Sequence, residues 1–150
     1  MQEEIFSSFR LVGGTALSLQ IGHRMSVDID LFTDADYGSI DFDRIKNFLK
    51  NKYAFYSSSP IDIVAFGTYF KIGYSEKDCI KLDLYYTDDY VFEEITVDTV
   101  RMASIEEIIA MKLDVVLRGG RKKDFWDLHY FLNTIPPWRY DFVLSKTLSL

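Results

Sequence analysis

The sequence contains a single cysteine, Cys79, among its 150 residues. A lone cysteine cannot form a disulfide within the chain, and Cys79 has no Cys-x-x-Cys partner for a structural zinc site or a redox motif. No apolar run approaches the ~20 residues that a membrane-spanning helix needs, and Glu3 and Glu4 lie where a signal peptide would be basic. We therefore expect a cytoplasmic protein without a membrane contact, in which Cys79 is a small apolar strand residue.

The chain also lacks an excess of positive charge, because its net charge is −6. Proteins that coat nucleic acids non-specifically pair many Lys and Arg with phosphates, so the sequence does not fit that class. Any nucleic-acid contact must be local. One cluster of cations is suited to such a contact: Arg118, Arg121, Lys122 and Lys123.

Hydrophobic periodicity predicts a strand-rich part followed by a helical part. Ser104 and Glu107 form a predicted capping box, and Gly119-Gly120 and Pro136-Pro137 are predicted helix ends. This order of predicted strands and helices favours one domain over 1–150, with a mixed sheet over about 1–103 and helices over about 104–150. Predicted helices cover 15–22, 42–52, 105–117, 122–132 and 140–148. Predicted strands cover 27–32, 62–66, 69–74 and 79–86, with short runs near 95 and 100.

Two aspartates, Asp28 and Asp30, lie two positions apart on the predicted strand 27–32 and would share one face of it. With a third carboxylate from another strand, such a pair can hold two divalent metal ions for phosphoryl chemistry. Asp83, which alternates with the apolar Leu82 and Leu84, supplies that carboxylate. An isolated Asp-x-Asp is a weak signal, because exposed acids at a strand end give the same pattern.

A glycine pair, Gly13 and Gly14, precedes the first predicted helix. Glycines permit close backbone approach, and the N-terminus of a helix presents unpaired N–H groups to an anion. Thr15 adds a hydroxyl donor. An ordinary tight turn has the same composition, but a phosphate-binding turn shortly before an acidic strand is what nucleotide transfer requires.

Several segments together resemble the AbiEii-type (MenT-like) nucleotidyltransferase toxins, which belong to the DNA polymerase β superfamily. The resemblance spans the chain from Leu11 to about Leu132. Many members of that family continue with further helices beyond this region. The matching segments are Gly13-Gly14-Thr15-Ala16-Leu17, Gly22-His23-Arg24, Ser26, Asp28-Ile29-Asp30-Leu31-Phe32, Ser104 to Lys112, and Arg121-Lys122-Lys123-Asp124-Phe125-Trp126-Asp127-Leu128.

The resemblance implies an α+β fold in which a small mixed sheet of the polymerase β-like nucleotidyltransferase type is flanked by helices and followed by a helical C-terminal part. It implies that Gly14 and Thr15 contact the nucleotide phosphates. It also implies that Asp28, Asp30 and Asp83 hold Mg²⁺ or Mn²⁺, with a nucleoside triphosphate as substrate.

Lys112 has two interpretations. It lies among apolar residues of the predicted helix 105–117, so its stem could pack while its ammonium group reaches water. The resemblance implies instead a cation that neutralises the triphosphate or assists the departing pyrophosphate.

The remaining polar positions also have alternatives. Asp124 and Asp127 could form a solvated face on which Lys123 pairs with Asp127 across one helical turn, but the resemblance places both aspartates beside the active site. Arg24 and Ser26 are either nucleotide contacts or exposed loop residues. The two histidines lack partners at a zinc or catalytic-triad spacing, and His23 is interpreted as structural.

The resulting hypothesis is a metal-dependent nucleotidyltransferase that releases pyrophosphate. The resemblance implies that it modifies RNA, at the 3′ end of a tRNA, and that it is the toxin of a type IV toxin–antitoxin or abortive-infection system with a cognate antitoxin. One rival is a small-molecule nucleotidyltransferase resembling the aminoglycoside-modifying branch. Another is a non-catalytic nucleotide-binding or partner-binding module, which the presence of every expected catalytic residue type disfavours.

Overall fold

The computed structural model describes residues 3–58, 66–134, 136, 143 and 145. No helix in this part of the chain is both long and apolar enough to cross a bilayer. The predicted strand 62–66 and helix 140–148 fall almost wholly outside the described residues. In chain order the elements are a 3-10 helix at Glu4–Phe6, β1 (Arg10–Val12), α1 (Gly13–Ile21), β2 (Ile29–Thr33), α2 (Phe42–Lys52), β3 (Phe55–Ser58), β4 (Gly67–Ser75), β5 (Asp78–Tyr86), β6 (Glu94–Val97), β7 (Val100–Ala103), α3 (Ile105–Leu117) and α4 (Lys122–Thr134).

The described strands form one mixed sheet in the order β3-β4-β5-β2-β1-β7-β6. The pairs β2–β5 and β1–β7 are parallel, and the other neighbouring strands are antiparallel. The parallel register of β2 and β5 sets Asp30 opposite Asp83. The predicted α+β class is therefore confirmed, and two of the predicted site residues are direct neighbours in the sheet.

One face of the sheet carries the main hydrophobic core. Leu31 of β2, Leu82 of β5 and Phe70 of β4 are all buried on this face and belong to one cluster with Ile45 and Leu49 of α2. Full burial of such side chains contributes roughly 1.5–3 kcal/mol each. The strand period of two then places Asp30 and Asp83 on the opposite face.

Among the described elements, α3 covers only part of the opposite face. Ile108 and Met111 of α3 lie beside Val12 of β1 and Phe32 of β2, and the four side chains border a common cavity. On β4 the outward-pointing Lys71 is exposed to solvent. The boundary between the covered and the open part of this face therefore runs along β2 and β5.

Several element boundaries differ from those predicted. The first helix begins at Gly13 rather than at residue 15, because Gly13 adopts a φ of +68° and lets β1 turn directly into α1. β2 begins at Ile29, so Asp28 precedes the strand, and the prediction that Asp28 and Asp30 share a strand is wrong. β1 and β3 were not predicted, since three and four residues are too few for a clear alternation.

The predicted capping box of α3 forms only in part. The Ser104 hydroxyl accepts a hydrogen bond from the Glu107 amide, as predicted. The buried Glu107 carboxylate, however, accepts hydrogen bonds from the amides of Val91 and Phe92 at 2.9 and 2.7 Å. Glu107 therefore attaches the loop before β6 to the first turn of α3.

Replacing Glu107 by alanine should destabilise the fold, because two backbone N–H groups would lose their acceptor. A buried unsatisfied donor costs about 1–3 kcal/mol, so Glu107→Ala should lower the free energy of unfolding by at least that amount. Urea denaturation followed by circular dichroism measures the change. The control Glu76→Ala alters an exposed acid between β4 and β5 and should stay within about 0.5 kcal/mol of the wild type. Equal effects from the two substitutions would contradict this role of Glu107.

Candidate active site

The centre of the candidate site is the carboxylate pair Asp30 and Asp83. Asp83 is 9% exposed, and its Oδ2 accepts a hydrogen bond of 2.7 Å from the ammonium group of Lys81. Its Oδ1 is buried and has no hydrogen-bond partner. Burial and the neighbouring Asp83 raise the pKa of Asp30 to about 6. Two carboxylates thus meet in a place where their shared charge is only partly neutralised.

A cavity of about 140 Å³ adjoins Asp30, on the side covered by α3. Its walls come from the start of α1, from β2, from α3 and from the start of α4. The polar side chains and glycines that line it are Gly13, Gly14, Asp30, Lys112, Arg121, Lys123 and Asp124. A larger cavity of about 390 Å³ lies on the other face of the sheet. That cavity is lined mainly by apolar residues and by none of the predicted site residues except Thr15.

The glycine pair allows the backbone to approach its neighbours closely. A Cβ atom on Gly13 would lie 2.4 Å from Asp30 Oδ2, and one on Gly14 would lie 2.6 Å from Arg24 Nη2. Neither position accepts a side chain without a shift of these groups. The structure therefore brings Gly13 of the predicted phosphate turn into direct contact with Asp30 of the carboxylate pair.

Thr15 and Ser26 hold the loop between α1 and β2. The Thr15 hydroxyl donates to the carbonyl of Asp28 and lies 3.1 Å from the Ser26 hydroxyl. The Ser18 hydroxyl donates to the carbonyl of Arg24. Thr15, the predicted phosphate contact, and Ser26, the predicted nucleotide contact, are thus engaged with the loop that leads to Asp28.

A buried ionic network surrounds Asp127, which is 0% exposed. Its carboxylate accepts two hydrogen bonds from Arg24, at 2.6 and 2.8 Å, and lies 2.7 Å from His23 Nε2 and 2.7 Å from Lys112 Nζ. Lys112 also donates to Asp124 at 2.9 Å. Burial raises the pKa of Asp127. Hydrogen bonds from Arg24, Lys112 and His23 outweigh this effect and hold the pKa well below its usual range. The network ties the loop after α1 to α3 and α4.

This network decides several of the alternatives left open by the sequence. Lys112 is 5% exposed, so its ammonium group does not reach out to bulk water. Asp124 and Asp127 are buried and do not form a solvated face. The pairing of Lys123 with Asp127 is also wrong, because Asp127 is taken by the buried cations, and Lys123 Nζ lies 3.9 Å from Asp28 Oδ2 instead. Arg24 is not a free loop residue.

The four cations predicted to contact RNA, which lie near the start of α4, have different surroundings. Arg121 and Lys123 line the cavity beside Asp30. Arg118 pairs with Asp114 at 2.8 Å and borders a different, acidic cavity. Lys122 is exposed. The four side chains therefore do not form one continuous basic surface.

A divalent cation is suited to part of this arrangement. The unpartnered Oδ1 of Asp83, next to Asp30, is an oxygen donor that lacks a positive partner. Asp28 is separate, with a side chain that is 45% exposed and faces Lys123. Within the described ranges no group of three acidic, His or Cys side chains is arranged to hold a metal ion. Asp30 and Asp83 thus fit a cation, and Asp28, which was predicted to share the site with them, lies apart beside Lys123.

The fold and this site define a domain of the nucleotidyltransferase type, and comparison with known proteins specifies it further. The chain belongs to the family described as "Nucleotidyl transferase AbiEii toxin, Type IV TA system", whose model matches residues 1–143. The resemblance stated from the motifs is confirmed.

Individual relatives agree with this family. An uncharacterized protein of Aquifex aeolicus is 27% identical over 131 residues, which are 85% of this chain and 59% of that protein. The crystal structure of JHP933 from Helicobacter pylori has a TM-score of 0.59 and 22% identity over 87% of this chain and 60% of that one. MenT4, a nucleotidyltransferase toxin from Mycobacterium tuberculosis, has a TM-score of 0.58 and 15% identity over 86% of this chain and 51% of that one. These two structures share the fold, and the chain spans about 60% of the length of the first two relatives.

The raised pKa of Asp30 predicts a stability change with pH. Since this pKa is higher in the folded state than in the unfolded chain, ionisation of Asp30 reduces the stability of the fold as pH rises from about 4 to about 6. Asp30→Asn removes this cost and adds an amide donor for Asp83. We expect the variant to gain roughly 1–3 kcal/mol at pH 7 and little at pH 4. Thermal unfolding across this pH range tests the effect, and a constant difference would contradict it.

The buried network predicts a large loss of stability when Asp127 is removed. Asp127→Ala leaves Arg24 and Lys112 without their shared partner and should cost about 3–5 kcal/mol. Asp114→Ala is the matched control, because Asp114 pairs with Arg118 on the surface and should cost less than about 1 kcal/mol. Chemical denaturation of both variants gives the comparison. A small effect of Asp127→Ala would show that the network does not hold α4 in place.

Proposed function

We propose that this protein is a metal-dependent nucleotidyltransferase that moves a nucleoside monophosphate from a nucleoside triphosphate to a hydroxyl group of an RNA. The observation that carries the proposal is the contact of the glycine turn with the carboxylate pair: Gly13 approaches Asp30, and Asp30 lies opposite Asp83. A phosphate-binding turn and a cation-binding pair must adjoin for this reaction. Here Gly13, Gly14 and Asp30 line one cavity, and Asp83 lies beside Asp30 in the sheet. Family membership supports the same activity.

The triphosphate would bind in the cavity beside Asp30. The N-terminus of α1, at Gly13 and Gly14, offers backbone N–H groups to phosphate oxygens. Arg121 and Lys123 line the same cavity with side chains that are 74% and 41% exposed, so both are accessible to a charged ligand. Lys112 forms part of the cavity wall, and its ammonium group is held by Asp124 and Asp127. It would therefore act on the phosphates through its electrostatic field rather than by direct contact.

The carboxylates would hold Mg²⁺ or Mn²⁺. Asp30 and Asp83 would contribute first, because they are already adjacent, and Asp28 would join them once the triphosphate engages Lys123. A bound divalent cation would lower the pKa of the attacking hydroxyl and neutralise charge on the phosphates. Asp28 therefore has two partners available, the cation and Lys123.

The proposed reaction is an in-line displacement at the α-phosphorus of the triphosphate. The acceptor hydroxyl oxygen forms a bond to the α-phosphorus, and the bond between that phosphorus and the oxygen of the β-phosphate breaks. Pyrophosphate leaves, and its charge is met by Arg121, Lys123 and the start of α1. The hydroxyl proton passes to solvent water, because both carboxylates are proposed to hold the cation that lowers the pKa of the hydroxyl.

We further propose that the acceptor is the 3′ end of a tRNA, and that the protein acts in the cytoplasm as the toxin of a type IV toxin–antitoxin system with an antitoxin protein as partner. The family description names a toxin of this type. The family resemblance implies the tRNA acceptor.

The rival functions make different predictions for the same reaction mixture. A small-molecule nucleotidyltransferase would label an aminoglycoside or similar alcohol and leave RNA unlabelled. A non-catalytic module would bind the triphosphate and release no pyrophosphate.

The proposal is tested with purified protein, Mg²⁺, total RNA and each α-labelled nucleoside triphosphate in turn. The wild type should label RNA and release pyrophosphate, and chelation of the metal should stop both. Asp28→Ala combined with Asp30→Ala should reduce transfer to background, because the cation loses two of its proposed ligands. Circular dichroism should show an intact fold in this variant. Undiminished labelling by the folded double variant would refute the assignment.

A further inference from the structure

The open part of the sheet face that carries Asp83 has a distinct composition. The register of β4 and β5 sets Tyr69 opposite Asp83 and Lys71 opposite Lys81. Alternation places these four side chains on one face, next to one another. We call Tyr69, Lys71 and Lys81 the platform. The platform begins at the carboxylate pair and extends away from the cavity beside Asp30, in which the triphosphate is proposed to bind and which we call the triphosphate cavity.

The platform combines cations with an aromatic ring. Lys71 is exposed and forms no ion pair with any described residue. Lys81 contacts Asp83 and also lies 5.1 Å from the centre of the Tyr69 ring. Apart from Asp83 itself, the residues of β4 and β5 that face this way include no acid. In a chain with a net charge of −6, this is a local site for a polyanion.

The other end of β5 has the opposite charge. A cavity next to Tyr86 is lined by acids from the segments that follow β2 and β5: Asp34, Asp36, Asp88 and Asp89. Asp114 of α3 borders it as well. Phosphate groups would be repelled there. A nucleic acid that reaches Asp83 must therefore lie over the first half of β5, where Lys81 is, and over the adjacent Lys71 of β4.

The cations near α4 do not offer an alternative surface. Arg121 and Lys123 line the triphosphate cavity, and Arg118 is paired with Asp114 beside the acidic cavity. The platform lies on the opposite side of the carboxylate pair from the triphosphate cavity, which is where an attacking group must approach for in-line displacement.

We infer that the platform binds the unpaired 3′-terminal nucleotides of the acceptor RNA. A terminal base stacks on Tyr69, and backbone phosphates contact Lys71 and Lys81, so that the terminal hydroxyl lies at Asp83. Unpaired bases stack readily on aromatic side chains, and lysines beside the ring bind the backbone. This inference rests on the proposed function, since it names the surface that recognises the acceptor.

The test compares Tyr69→Ala and Lys71→Glu with Lys50→Glu, a matched charge reversal at an exposed position of α2 on the far side of the sheet. Label transfer is measured against RNA concentration and, separately, against triphosphate concentration. Both platform variants should raise the KM for RNA on the order of tenfold and leave the KM for the triphosphate unchanged. Lys50→Glu should match the wild type in both.

Two further measurements distinguish recognition from a structural effect. Tyr69→Phe keeps the ring and should retain the wild-type KM for RNA. Direct RNA binding, measured without triphosphate at several salt concentrations, should show a shallower salt dependence for Lys71→Gln than for the wild type, by about 0.7 in the logarithmic slope.

The outcomes separate this inference from the proposed function. If the wild type labels RNA and both platform variants keep its KM for RNA, the platform is not the acceptor surface, although the enzyme is still an RNA nucleotidyltransferase. If the wild type labels a protein or a small molecule instead of RNA, the proposed acceptor and the platform are both wrong. A rise in the KM for the triphosphate with Tyr69→Ala would also overturn the inference, because the ring would then belong to the nucleotide site.

Discussion

The parallel pairing of β2 with β5 is the constraint on which the rest of the site depends. Its register sets Asp30 opposite Asp83 and brings two carboxylates together at a half-buried position. Such a pair is unfavourable without a cation, as the pKa of about 6 at Asp30 indicates. The hydrophobic packing of Leu31 and Leu82 on the other face holds the two strands in that register despite the repulsion. Packing of the core thus maintains two adjacent carboxylates that repel each other, an arrangement that fits the cation site proposed above.

The network around Asp127 has a different role, because it contains enough positive charge to satisfy its carboxylates. Lys112 and Arg24 reach Asp127 from α3 and from the loop after α1, which lie far apart in the chain. Their buried pairing fixes the loop that carries Asp28 against α4. The structure therefore separates two kinds of acid: Asp124 and Asp127 are held by several cations, whereas Asp83 has one ion pair, with Lys81, and keeps an unpartnered Oδ1 beside Asp30.

Local patterns in the sequence were sufficient for the motifs with short-range causes. The glycine turn, the Asp30 strand, the Ser104 cap and most of the helices followed from spacing and residue type, and Asp83 was found because it interrupts an apolar strand. What depends on tertiary contacts was not predictable. The partners of Lys112 and Lys123 are set by where α4 lies, and Asp28 leaves the strand because Thr15 bonds its carbonyl. The grouping of Tyr69, Lys71 and Lys81 beside Asp83 depends on the register of β4 with β5, which the hydrophobic periodicity of the sequence does not reveal.

In the proposed reaction, the partial covering of one sheet face by α3 would give the two substrates separate approaches to the same carboxylates. Because α3 lies over β1 and β2, the proposed triphosphate cavity has walls and buried charge, whereas the exposed Lys71 shows that β4 faces solvent on the other side of Asp83. The charges follow this division. Arg121 and Lys123 lie beside the proposed triphosphate cavity, and Lys71 and Lys81 lie on the proposed RNA surface. Acids line the cavity beyond the end of β5, where a polyanion would be repelled. An acidic protein can bind two polyanions in this way, since the field that each ligand meets is determined by the few charges within a Debye length of its path.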